Sequence, residues 1–317
     1  MLRERGERQL ILLCGIPSEP PIAQVAAALD RHGVAYLHLD QRRWADWQLR
    51  VGVSRGQIRG FLALPDARVA LDTVTGVYTR LMDFRRLPDL SRDGPGSSRE
   101  RACQEVHMKL TIWQDITPAR VVNRTRPQAS NASKPYQAQL ARTHGFSVPA
   151  TLVTNIPEQV MAFRAEHRRV VYKSASGVRS IVRELGDDDL RRLAMIRWCP
   201  VQFQEYVPGV DVRVHVIGER VFATKVVSDR TDYRYAESEG GSTNLIATTL
   251  DDDVAARCIA FAQALELPFA GIDLRLAPNG RVVCFEVNPS PAFSYYEAHT
   301  GQPIADAIAR YLAGGIP

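Results

Sequence analysis

Two apolar runs near the C-terminal end constrain this chain more than any other feature. Residues 270–276 and 281–287 are both rich in β-formers, and Pro278-Asn279-Gly280 supplies a turn between them. The pair reads as a β-hairpin. Residues two apart in a strand share a face, so Glu286 and Asn288 point together, and Asp273 can join them from the other arm. The neighbouring run Val282-Val283-Cys284-Phe285 suits a central strand better than a solvated one. Two carboxylates and an amide oxygen on one face make a hard-oxygen set of the kind that Mg²⁺ favours beside nucleotide phosphates. The alternative is a polar strand end facing water.

The rest of the chain supplies a frame for that hairpin. Residues 10–14 read as a buried strand, 20–32 as a helix with Ile22, Val25, Ala26 and Leu29 at helical spacing, and 34–39 as the next strand. A β-α-β start of this kind predicts a small α/β domain with a parallel sheet. Short strands are expected at 49–53, 58–64, 69–71 and 76–80, a loop at 90–98, and a helix from 98 to 115. Pro118 then breaks the pattern, which places a domain boundary there. Helices at 133–144, 157–167 and 187–197 alternate with strands at 151–153, 169–173 and 181–184. Beyond Val201 the pattern is mainly β, at 201–205, 210–217 and 220–227, with helices at 251–265 and 303–312. The expected class is α/β (α+β).

Composition narrows the function classes. Of 40 Lys and Arg residues only four are lysine: Lys109, Lys134, Lys173 and Lys225. Arginine is a wide planar fork and lysine a compact point charge, so a chain that writes Arg by default marks its lysines as candidates for tight phosphate pockets. The formal net charge of +5 raises nucleic acid as a partner. The arginines are spread along the chain without an aromatic-basic platform, so nucleic acid is not expected and a basic cleft for an anionic ligand is. No apolar run is long enough to span a bilayer. The charged N-terminal stretch lacks signal-peptide character, and the five cysteines contain no C-x-x-C pair, so a cytoplasmic chain with buried thiols is expected.

Several motifs in order then resemble an ATP-grasp ligase of the RimK/glutathione synthetase type. They are VQFQEYV at 201–207, GVDVRVHVIGERVFATK at 209–225, GIDLR at 271–275 and FEVNPSPAFSYYEAHTGQP at 285–303. The resemblance implies an N-terminal pre-ATP-grasp domain at 1–117, a central ATP-grasp subdomain at 118–200, and a C-terminal subdomain with the metal site at 201–317. It implies that Lys134 and Lys173 touch ATP, and that Gln204, Glu205, Tyr206 and Val207 grip adenine. It further implies Asp211 on the ribose, and Asp273, Glu286 and Asn288 on Mg²⁺ or Mn²⁺. Arg213 is implied at the phosphoryl group or carboxylate substrate, and Lys225 and Arg234, on the neighbouring hairpin and the loop after it, at substrate or phosphate contacts. After the second lysine the family has a glycine-rich loop. Here Ser176, Gly177 and Arg179 stand in a loop with one glycine, whose small residues still permit close backbone approach.

The activity so implied is ATP-dependent joining of a carboxylate to an amine through an acylphosphate, with release of ADP and phosphate. The carboxylate is a glutamate-like amino acid or an acidic side chain, and the acceptor an amino acid, peptide, protein or small amine. Two alternatives stand beside it: a ribosomal-peptide maturase that cross-links side chains through esters or amides, and a non-catalytic nucleotide-binding regulator. Relatives of this type form dimers or tetramers, so a homodimer or homotetramer is implied. Tyr295-Tyr296-Glu297 and His299 are candidates for the acceptor rim, whereas His215 reads as structural.

Overall fold

The computed structural model describes residues 9–91, 94–174, 182–228 and 243–315. The β-α-β start forms as expected: β1 (Leu10–Gly15), α1 (Pro20–Arg31) and β2 (Tyr36–Asp40). Pro20 opens α1, where its missing N–H costs nothing. An antiparallel excursion of β3 (Gln48–Ser54), β4 (Gln57–Leu64) and β5 (Ala67–Ala70) precedes β6 (Val74–Thr79). Then come α2 (Pro88–Ser91), α3 (Ser98–Ile116) and β7 (Arg120–Val122), and the parallel sheet runs β2-β1-β6-β7. The near-continuous apolar run of β1 reflects burial on both faces. Ile11 and Leu13 pack toward α1, and Leu12 and Cys14 toward Trp113 of α3.

The central part contains α4 (Thr125–Gln128), α5 (Lys134–Thr143), β8 (Thr151–Thr154), α6 (Pro157–His167), β9 (Val170–Ser174), β10 (Arg183–Glu184), α7 (Asp187–Arg191) and β11 (Val201–Glu205). Its strands form an antiparallel sheet in the order β10-β9-β11-β8. The expected helix at 187–197 is split: α7 stops at Arg191 and tight 3₁₀ turns continue over Leu193–Trp198.

The C-terminal part contains β12 (Val210–Ile217), β13 (Arg220–Ser228), β14 (Thr243–Thr248), α8 (Asp252–Ala264), β15 (Phe269–Leu276), β16 (Val282–Asn288), α9 (Ser294–Thr300) and α10 (Ile304–Leu312). Its antiparallel sheet has the order β14-β13-β12-β15-β16. Neither β14 nor α9 is anticipated by the sequence pattern. β14 is an edge strand with Leu245 as its single buried residue, so it carries no alternation to read. One face of the sheet, with Val212, Val214, Ile272, Leu274 and Val287, packs in one core with Val254, Cys258 and Phe261 of α8. The other face carries Ile217, Phe222 and Phe269 against Phe293, Tyr296 and α10. α10 in turn packs on α1, so the last helix ties the C-terminal sheet to the β-α-β start of the chain.

The free edge of β16 is covered by side chain and loop rather than by another strand. Gln137 of α5 donates from Nε2 to the Val287 carbonyl at 2.9 Å and accepts the Val287 N–H on Oε1 at 3.1 Å. Ser147 makes a short parallel bridge farther along, bonding Val282 and Cys284. Gln137→Leu keeps the volume but strands both backbone groups of Val287, and each buried unpaired group costs about 1–3 kcal/mol. Urea unfolding of this variant is expected to show a loss of about 2–4 kcal/mol. A loss below about 0.5 kcal/mol would mean that water replaces the clamp.

Candidate active site

The pairing register gathers the functional side chains into one row across the C-terminal sheet. Arg213 on β12 lies opposite Asp273 on β15, and Asp273 lies opposite Glu286 on β16. Directly opposite residues share a face. A bulge helps: Asp273 pairs with Glu286 but Leu274 pairs with Cys284, leaving Phe285 as the extra residue. The bulge lets Cys284 and Val287 both enter the α8-side core while Glu286 turns to the polar face. Asn288 follows on that face opposite Gly271, and its Oδ1 accepts the Ser290 N–H at 2.9 Å.

Cations from three elements converge on this row. Nζ of Lys134, in the first turn of α5, is 3.0 Å from Glu286 Oε2 and 3.0 Å from Asn131 Oδ1. Nζ of Lys173, on β9 of the central sheet, is 3.7 Å from the same Glu286 oxygen. Arg213 Nη1 is 3.0 Å from Asp273 Oδ1, and its guanidinium stacks 5.6 Å from the Tyr296 ring centre. Burial alone would push the Glu286 carboxyl up; Lys134, Lys173 and Arg213 outweigh it and hold it down at about 2. Two carboxylates and three cations, all partly withdrawn from water, make an anion-favouring centre with hard oxygens at its floor.

A second group lines the strand that leads into the row. Gln204 is buried and its amide donates to Thr151 Oγ1 at 3.0 Å. Glu205 lies 3.7 Å from His167, its N–H bonds Ala150, and the Tyr206 N–H bonds the Arg169 carbonyl. The Arg169 guanidinium sits 3.6 Å over the Tyr206 ring. Val207 is buried, and its carbonyl accepts from Arg275 at 2.7 Å. Arg275 also grips Asp211 with both arms, at 2.7 and 2.8 Å, so the carboxylate expected on a ribose is already half engaged.

With that geometry in place, comparison with known proteins decides the family. The model of the RimK-like ATP-grasp domain matches residues 134–312. The chain belongs to the RimK-like ATP-grasp family. A probable alpha-L-glutamate ligase of Photobacterium profundum is 35% identical over 116 residues, which is 35% of this chain and 38% of the relative. The match thus spans well under half the length of that relative. Among solved structures, a Chryseobacterium gregarium RiPP-associated ATP-grasp ligase in complex with ADP and a leader and core peptide superposes with a TM-score of 0.81 at 21% identity, covering 98% of both chains. The ATP-grasp ligase PsnB, complexed with minimal precursor, Mg and ADP, gives 0.73 at 26% identity over 96% of both chains. The fold is therefore that of the ATP-grasp ligases, as the sequence motifs implied.

Within this frame Arg213, Asp273, Glu286, Asn288, Lys134 and Lys173 gather at the row, while Gln204, Glu205, Tyr206, Val207 and Asp211 line the strand that leads to it. Lys225 does not join the row. Gly218 and Glu219 make a two-residue turn, which sets Thr224 opposite Arg213 and Lys225 opposite Val212. That register corrects the expectation for Lys225, because it lies on the α8 side of the sheet, away from Arg213, Asp273 and Glu286. Ser176, Gly177, Arg179 and Arg234 fall outside the described residues. His215 is fully buried, as its structural reading requires, and burial with Arg213 nearby holds it far below the usual imidazole range. Glu297 is turned inward to accept the Ala305 N–H at 2.7 Å, which caps α10.

Three contributors, Gly271, Asn123 and Arg80, escaped the sequence as contributors to the site. Gly271 lies where an added Cβ would come 2.7 Å from Pro291 Cβ and 3.1 Å from Arg213 Nη1, so only glycine lets that turn close over the row. Its place inside an apolar strand was the available signal. Asn123 donates to the Phe269 and Pro289 carbonyls and accepts the Phe269 N–H, pinning the end of β15 to the turn after Asn288. Arg80 donates to Ser290 Oγ and the Pro291 carbonyl at 3.2 Å while pairing with Glu19 at 2.7 Å. Tyr296, which the sequence offered for the acceptor rim, accepts from Arg213 Nε on its hydroxyl at 3.4 Å. Among the described residues no three His, Cys, Asp or Glu side chains gather as a metal cluster, so the candidate set rests on two carboxylates plus the Asn288 amide.

Proposed function

We propose that the protein is an ATP-dependent ligase that activates a carboxylate as an acylphosphate and passes the acyl group to an amine or related nucleophile. The single observation that carries this reading is the row Arg213–Asp273–Glu286 with Lys134 and Lys173 closing on it from two other elements. The donor set fits a hard divalent cation, with Asp273, Glu286 and Asn288 as its holders. When bound, Mg²⁺ would offset charge on the ATP phosphates. Lys134 and Lys173 hold the phosphates in a cleft where each positive charge counts for more than in bulk water. Arg213 orients the incoming carboxylate, whose oxygen attacks the γ-phosphorus as the bond to ADP breaks. The nucleophile then attacks the acyl carbon, phosphate departs with its oxygen, and the nucleophile releases its proton.

Two carboxylate sources compete. The curated relatives are named as glutamate ligases, which favours an amino acid added to a peptide or protein. Two of the solved structures that align along nearly the whole chain hold a leader and core peptide and a minimal precursor, which favours an acidic side chain on a peptide. The test is ADP release over a panel of amino acids and acidic peptides with hydroxylamine present. A hydroxamate is expected on whichever carboxylate is activated; absence of carboxylate-dependent ADP across the panel would favour the non-catalytic nucleotide-binding reading.

A further inference from the structure

One face of the central sheet has a charged group at each end. On β9, Lys173 and Val171 share that face with Arg169, the residue just before the strand. β11 lies opposite, with Gln202 against Lys173 and Gln204 against Val171. The Tyr206 N–H donates to the Arg169 carbonyl at 2.9 Å, which carries the ladder past its last strand pair. Lys173 and Arg169 are four positions apart, about 13 Å along a strand. Lys173 marks the end beside Glu286, and Arg169 the far end, where the chain leaves β11 for β12.

That far end is locked. Arg169 donates from Nε and Nη2 to the two oxygens of Glu184 on β10, at 2.8 and 2.9 Å, and these bonds hold the Glu184 carboxyl below its usual range. The guanidinium so oriented lies over the Tyr206 ring, 3.6 Å from its centre. The Arg169 side chain is 55% exposed and that of Glu184 41%, so the ion pair by itself adds little stability. Its effect is geometric: a two-pronged fork has one orientation, and the stack passes that orientation to Tyr206. Tyr206 stands between Glu205 and Val207, in the segment that joins the central sheet to the C-terminal one. The second sheet holds the same segment through Arg275, which donates to the Val207 carbonyl at 2.7 Å and is itself oriented by both oxygens of Asp211. Each sheet thus gives the linker one arginine, aimed by one carboxylate.

We propose that Arg169 is a positioning residue for nucleotide binding: aimed by Glu184, it stacks on Tyr206 and fixes the backbone of residues 205–207 against which the base is held. The proposal rests on the reading in which Glu205, Tyr206 and Val207 grip adenine. Because Arg169 lies far along the strand from Lys173, it acts on the base end of the nucleotide and leaves the phosphate end alone.

The test is calorimetry on the full chain with Mg²⁺ and two probes, a non-hydrolysable ATP analogue and inorganic tripolyphosphate. Arg169→Met keeps the stem but removes the fork, and is expected to weaken the ATP analogue about fivefold, the order of one exposed cation–π contact. Tripolyphosphate, which needs only the cations at the row, is expected to bind this variant as it binds the wild type. Arg169→Lys keeps the charge opposite Glu184 but loses the planar stack, and is expected to weaken the analogue in the same direction. Circular dichroism establishes that both variants fold. On a Tyr206→Leu background Arg169→Met is expected to cost nothing more, because the arginine acts through that ring. Unchanged analogue affinity in both folded Arg169 variants, an equal loss for tripolyphosphate, or a full further loss on the Tyr206→Leu background would each overturn the assignment. A wild type that binds neither probe would sink the nucleotide reading and this assignment with it, whereas wild-type binding with indifferent variants would sink this assignment alone.

Discussion

Glu286→Gln is expected to lower ATP turnover by at least a hundredfold, read as ADP release at neutral pH, while the protein stays folded. The carboxylate is the meeting point of the site: both lysines approach one of its oxygens, and its partner across the hairpin is Asp273. An amide keeps the shape and one acceptor, but removes the charge that offsets Lys134 and Lys173 and that a divalent cation needs. The stability effect has a definite sign. A carboxyl held down at about 2 favours the folded state fully above the ordinary carboxylate range, and that contribution fades as pH falls toward 2. The variant lacks it throughout, so near neutrality it should be less stable by roughly 1–3 kcal/mol, an amount that a domain of ordinary stability survives. Undiminished ADP release in a folded Glu286→Gln protein would remove both the metal assignment and the proposed use of the row.

How much of this site was legible in the sequence depends on the distance over which each contact acts. Asp273, Glu286 and Asn288 were readable because a hairpin with a marked turn and alternating faces is local physics. The Phe285 bulge was not, although it decides which residues reach the core, because a bulge appears only when two registers are compared. Lys225 was misplaced although the signal was present: a two-residue turn at Gly218-Glu219 already puts it out of phase with Arg213. Gln137, Asn123 and Arg80 act over 150, 146 and 210 residues of chain, through side chains that reach backbone or hydroxyl groups. No spacing rule encodes such pairs. The interrupted helix after α7 has the same origin, since its turns are set by Leu193 packing with Val160 and Phe203 rather than by local propensity.

The scarcity of lysine leads to the other large effect. Lys173→Arg is expected to weaken binding of a non-hydrolysable ATP analogue, measured by calorimetry with Mg²⁺, by about tenfold or more. Coulomb's law alone forecasts no change, because the charge is kept. Shape forecasts a loss. Lys173 is held between strands on β9, its side chain is 13% exposed, and its ammonium shares one Glu286 oxygen with Lys134. A guanidinium is planar, broader and bonded through a fixed fork, so it would displace Lys134 or stand off from the phosphates. Lys109→Arg serves as the contrast. It sits on the outer face of α3, 3.9 Å from Glu105, where either cation fits, and no change in affinity is expected. Equal affinity in the Lys173 and Lys109 variants would mean that charge alone sets nucleotide binding, and that the rarity of lysine in this chain carries no information about its site. A loss confined to Lys173 would instead show that the two lysines the fold brings to Glu286 were kept for their width.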